Sequence, residues 1–190
     1  MDNQHSVEWI PDKRTAVVMN IVGLVLTAVS LAGFMSLYAM NRPEGAEGTL
    51  EFVDMIVGLV VVVVLTLALT IVHELLHGFA LKTLGFRAKY GTLMVGKVVP
   101  AFYCTAPGAI ISKAAFVYVA LLPGIVLAII PAVWIAANWP GAGWLVLPSA
   151  FLFGGAVGDF FMTTLALRTP KGTKVEDLRD GVRFHFPNPA

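Results

Sequence analysis

The sequence predicts an all-α membrane protein with four transmembrane helices, and three observations predict it. Hydrophobic residues make up 57% of the 190 and charged residues only 13%, about half the charged share of an ordinary soluble domain. Four apolar runs, at 15–40, 53–81, 114–138 and 143–167, each reach the roughly 20 residues needed to cross a bilayer. Basic residues concentrate on alternate connections between these runs, as expected of a chain that crosses several times with a preferred orientation.

The first run is much longer than the roughly 7–15 apolar residues of a signal-peptide core, so it is expected to be a retained span. The segment before it, with Asp2, Glu8, Asp12, Lys13 and Arg14, is too short for a domain, and the chain is expected to form one domain over 1–190. The connection after the first run carries Arg42 among Glu44, Glu47 and Glu51. The next carries Lys82, Arg87, Lys89, Lys97 and Lys113 with no acid, and the tail carries Arg168, Lys171, Lys174, Arg179 and Arg183. Counting Lys and Arg therefore places both termini and the middle connection in the cytoplasm. The expected location is a bacterial cytoplasmic membrane, with the lipid bilayer as a partner.

Within the middle connection, 90–105 (YGTLMVGKVVPAFYCT) is rich in Val, Tyr, Phe and Thr with Gly and Pro punctuation. It reads as a short β-like hairpin rather than helix. It could supply an edge strand to an extended peptide, or serve only as a structural flap. Pro123-Gly124 and Pro131 bend the third run, either as a gate or as a static packing feature. Trp134, Trp139 and Trp144 suit an aromatic belt at the non-cytoplasmic interface. The single cysteine, Cys104, excludes an intrachain disulfide and any multi-cysteine zinc site. A net charge of +1 with no basic block gives no sign of a nucleic-acid partner.

Chemistry is concentrated at the end of the second run, in TIVHELLHGFALK. His73-Glu74-Leu75-Leu76-His77 has the HExxH spacing. Residues four apart on a helix differ by about 40° in direction, so His73 and His77 project from one face and can share one zinc ion. Glu74, offset to the side, can polarise a zinc-held water. The bland alternative is two buried histidines bonded to neighbouring helices. A catalytic zinc site needs a third protein ligand, and Asp159 is the one acid other than Glu74 well inside a span, in FLFGGAVGDFFMTTLAL. An unpaired carboxylate there costs about 2.5–3.5 kcal/mol on insertion scales, which a metal or a pair of imidazoles would offset; a bond to a hydroxyl or histidine without metal is the other possibility. Gly154 and Gly158 form a small-residue stripe that permits close approach of a neighbouring helix. His77 and His73 lie five and nine residues before Lys82, and Asp159 nine before Arg168. At 1.5 Å per residue all three groups are then roughly 7–14 Å from the cytoplasmic end. His185, Asp177 and Asp180 are weaker ligand candidates, more simply read as solvated tail.

HELLHG on a transmembrane helix, followed by Gly158-Asp159 in a late span, resembles the Putative zincin peptidase family of small bacterial membrane proteins. A more distant similarity is to the site-2 protease class of intramembrane metalloproteases. That class usually sets its aspartate in an N/P-x-D-G context, from which Gly158-Asp159-Phe160 departs. The resemblance implies a zinc peptidase with His73, His77 and Asp159 as metal ligands and Glu74 as general base. The expected function is hydrolysis of a membrane protein or peptide substrate by metal-activated water. Two alternatives come from other classes: a metal-binding transporter or sensor, and an inactive scaffold that binds membrane segments.

Overall fold

The computed structural model describes residues 6–42, 52–95, 99–178 and 181–187. Among the described residues five helices are present: α1 (Lys13–Asn41), α2 (Phe52–Thr83), α3 (Lys113–Ala136), α4 (Ala142–Gly155) and α5 (Val157–Arg168). Four segments are long and apolar enough to cross a membrane, namely Lys13–Asn41, Asp54–Thr83, Lys113–Ala136 and Ala142–Arg168. Large apolar side chains such as Val17, Leu24 and Val29 on α1 and Leu59, Val64 and Leu67 on α2 lie exposed. In water such stretches would be untenable; in lipid they are the expected surface. Six hydroxyls in these helices satisfy themselves locally. Thr27, Ser30, Ser36, Thr66, Thr70 and Thr164 each donate to the carbonyl four residues earlier.

The fold is not all-α. Besides the hairpin of β2 (Lys89–Val95) and β3 (Val99–Thr105), it contains β1 (Ser6–Trp9), β4 (Ile110–Ser112), β5 (Lys174–Leu178) and β6 (Gly181–His185). These last four form an antiparallel sheet in the order β1-β6-β5-β4. The short segment before α1 and the basic tail therefore supply three of its four strands, β4 coming from the middle connection. The hairpin falls where the composition of 90–105 placed it, with Tyr90 opposite Cys104 and Gly91 opposite Tyr103.

The chain forms two compact units, one of Met1–Met19, Val72–Pro123 and Gly158–Ala190, the other of Asn20–Ile71 and Gly124–Val157. The first unit has a core of Ile111, Val175, Val182 and Phe184 from the sheet with Phe116 and Ala120 of α3 and Ala166 of α5. That core seats α3 and α5 on one face of the sheet. Arg183 of β6 ties the strands further, reaching Glu8 on β1 and Glu176 on β5 at 3.0 Å each. The second unit has a core of Phe34, Ile135, Ala142, Val146 and Ala150. Within it α1 and α4 approach closely where Gly23 and Gly154 meet: a Cβ on Gly154 would lie 2.7 Å from the Gly23 carbonyl oxygen. Gly158 meets nothing nearer than Met19 Cε at 3.9 Å, so only one glycine of the expected small-residue stripe has that role.

The fourth apolar run is two helices, interrupted at Ala156. Glycines are poor helix formers, and Gly154-Gly155 weaken the run there. The Ala156 N–H still donates to the Leu152 carbonyl at 2.9 Å, closing α4 before α5 begins.

Candidate metal centre

All the site residues belong to the first unit. His73 and His77 sit one turn apart on the last third of α2, with their rings edge-on at 4.9 Å and 77° between planes. Their Nε2 atoms are 3.2 Å apart. Both side chains are almost buried, at 13% and 12% exposure, although Leu75 and Phe79 between and beyond them are exposed. The helix thus turns its imidazoles inward and its apolar residues outward, the reverse of a soluble amphipathic helix.

The break at Ala156 puts Asp159 in the first turn of α5 rather than in mid-helix. Unpaired N–H groups and the positive end of the helix dipole favour a carboxylate there, which lowers the cost of an acid at this depth. Asp159 Oδ2 is 3.1 Å from His73 Nε2 and Oδ1 is 3.5 Å from His77 Nε2. The three residues that the sequence singled out therefore converge. One donor atom from each lies within 4.8 Å of the others, and among the described residues no other group of three or more His, Cys, Asp or Glu could hold a metal ion.

The donor set fits zinc. Two imidazole nitrogens and one carboxylate oxygen suit that ion, and three protein ligands leave a coordination position open. His77 Nδ1 donates to the backbone carbonyl of Val119 on α3 at 2.9 Å. That bond places the ring proton on Nδ1 and leaves the Nε2 lone pair toward His73 and Asp159.

Glu74 follows His73 and lies within electrostatic reach of both histidines and Asp159. The Cys104 backbone on β3 lies within electrostatic reach of the Glu74 carboxylate, on that side of α2. Gly78, buried one turn beyond Glu74, receives the Tyr90 phenol of β2. A Cβ at that position would overlap the Tyr90 oxygen.

Asp177 differs from expectation. It lies on β5, half-buried, and its carboxyl is pushed up to about 7 by burial, with the charges of Asp159 and Glu74 adding to the effect and a Thr105 hydrogen bond and His77 opposing it. Burial also pushes the Cys104 thiol up to about 12, again reinforced by Glu74 and Asp177. His185 pairs with Glu176 at 3.2 Å and is not part of the triad. Asp180 lies outside the described residues.

Sequence reasoning missed the backbone roles of Val119 and Cys104 and set Asp177 aside as solvated tail. Val119 and Cys104 contribute backbone atoms, for which side-chain identity carries no signal. Asp177 is brought in by a strand whose charged sequence, KVEDL, hides its alternation.

No curated protein and no solved structure matches the chain. The model of a family described as "Putative zincin peptidase" matches residues 66–174, a stretch that takes in His73, Glu74, His77, the hairpin and Asp159, and the chain belongs to that family.

Proposed function

We propose that this chain is an intramembrane zinc endopeptidase. The observation that carries the proposal is the convergence of His73, His77 and Asp159, from helices 86 residues apart in sequence, on one point inside a membrane-spanning region. In this reading His73 Nε2, His77 Nε2 and Asp159 hold the ion. Zinc bound there would supply a Lewis acid that polarises a peptide carbonyl and lowers the pKa of water.

Glu74 is the general base. It takes a proton from the attacking water and returns it to the leaving amine. The Cys104 backbone of the hairpin lies within electrostatic reach of that carboxylate. A substrate helix has its carbonyls engaged in hydrogen bonds and must be locally unwound before attack. The β2–β3 hairpin, a two-stranded sheet, offers an edge to which such an extended segment can pair. The Lys and Arg distribution supports a cytoplasmic location for the hairpin and both termini.

The test is to purify the protein, measure zinc per chain, and compare cleavage of a membrane substrate by wild type and Glu74→Gln. The expected result is about one zinc in both and cleavage only in wild type. Bound zinc with cleavage surviving in Glu74→Gln would sink the mechanism.

A further inference from the structure

In an α-helix each carbonyl ordinarily accepts the N–H four residues later. For the Val119 carbonyl that residue is Pro123, which has no N–H. α3 nevertheless runs without interruption from Lys113 to Ala136. The one carbonyl in its first two turns that the helix cannot pair for this reason is thus the carbonyl that accepts His77 Nδ1 at 2.9 Å. We infer that Pro123 is a positioning residue of the metal centre: by withholding a backbone donor it leaves the Val119 carbonyl open to His77, which commits Nε2 of that ring to the metal side.

Three observations support the inference. The Val119 acceptor is held in place, because its side chain packs on the core that α3 shares with the sheet. His77 Nε2 points at His73 Nε2 and Asp159 Oδ1, 3.2 and 3.5 Å away, so the tautomer set at Nδ1 decides which ring atom faces the triad. Pro131, the other proline of α3, would free the carbonyl of Leu127, which contacts none of these groups among the described interactions. The proline of the third span therefore has a chemical task that a simple bend would not require. This inference deepens the zinc-site reading and rests on it for its metal half.

The experiment uses the full chain in lipid nanodiscs with 15N-labelled histidine, stripped of metal. The ring nitrogen shifts of His77 report which nitrogen carries the proton. Wild type should show the Nδ1–H form. Pro123→Ala restores a backbone donor to Val119 and should shift His77 toward Nε2–H, while zinc affinity falls about 10–100-fold, the usual effect of losing an outer hydrogen-bond partner of a ligating histidine. Placing the α-hydroxy analogue of alanine at 123 gives an ester with no N–H, and should restore both wild-type tautomer and affinity. Pro131→Ala should change neither.

Unchanged His77 shifts and zinc affinity in Pro123→Ala would overturn the inference. So would an ester variant that behaves like alanine, since the ring and its bend, not the missing donor, would then matter. The tautomer is read without metal, so the two proposals fail separately. A wild type in the Nδ1–H form that binds no zinc would sink the peptidase reading and leave the link from Pro123 to His77 supported.

Discussion

Asp159 Oδ2 lies 3.1 Å from His73 Nε2, joining the first turn of α5 to the last third of α2. If that contact marks a shared metal, Asp159→Ala leaves only two imidazoles. Zinc affinity should then fall by more than the roughly 10–100-fold that loss of an outer hydrogen-bond partner costs. Equilibrium dialysis against a zinc buffer checks this. Retention of wild-type affinity would assign the third ligand elsewhere.

The pair Gly154 and Gly155 offers a matched test of helix contact in the second unit. A Cβ at Gly154 would meet the Thr27 hydroxyl and lie 2.7 Å from the Gly23 carbonyl oxygen, whereas at Gly155 nothing lies within 4 Å. Gly154→Ala should destabilise by about 1–3 kcal/mol through overpacking. Gly155→Ala should be neutral or gain up to about 1 kcal/mol from helix propensity. Thermal unfolding in one detergent, run side by side, would separate them; equal effects would remove the close approach.

Cys104 should be a slow nucleophile. With its thiol pushed up to about 12 by burial, the thiolate at pH 8 is scarce, and alkylation by iodoacetamide should run about 10³-fold slower than for a free cysteine. Denaturation should restore the ordinary rate. Rapid labelling of the folded protein would contradict the partial burial of this residue on β3.

Asp177 predicts a pH dependence of stability in the metal-free protein. Its carboxyl is raised from 3.8 to about 7 by burial, so the folded state holds a proton that the unfolded chain has already lost. The contribution is complete below about pH 4 and disappears as pH rises through about 7, on the order of a few kcal/mol at most. Wild type should therefore melt progressively lower between pH 5 and 8, and Asp177→Asn should flatten that decline. A melting temperature that rises over the same interval would reverse the sign and refute the assignment.

The spans were readable because lipid-facing helices need no periodicity: length and apolarity are the whole signal, and α1, α2 and α3 matched within a few residues at the ends the structure describes. The triad was readable for a related reason. His73, His77 and Asp159 are ionisable residues where lipid penalises them, so their presence alone marked them. The four-stranded sheet was not readable. β4 has three residues and β1 has four, too few to show alternation, and their partners lie far along the chain. The break at Ala156 was missed because composition is equally apolar on both sides; Gly154-Gly155 were read only as a packing stripe. Asp177 was taken for solvated tail because Lys174, Glu176 and Arg183 surround it in sequence, though on the strands they are paired or outward while Val175 and Val182 face the core.

The strand order of the sheet also sets a schedule for biosynthesis. Among the described strands β1 pairs with β6 alone, and Arg183 meets Glu8, 175 positions earlier in the chain. Every described helix long and apolar enough to cross a membrane is therefore synthesised before β1 can pair. α3 and α5, which the sheet seats, acquire that support only after translation has passed β6. The packing under the histidine–aspartate centre is accordingly completed only once the last strand has been made.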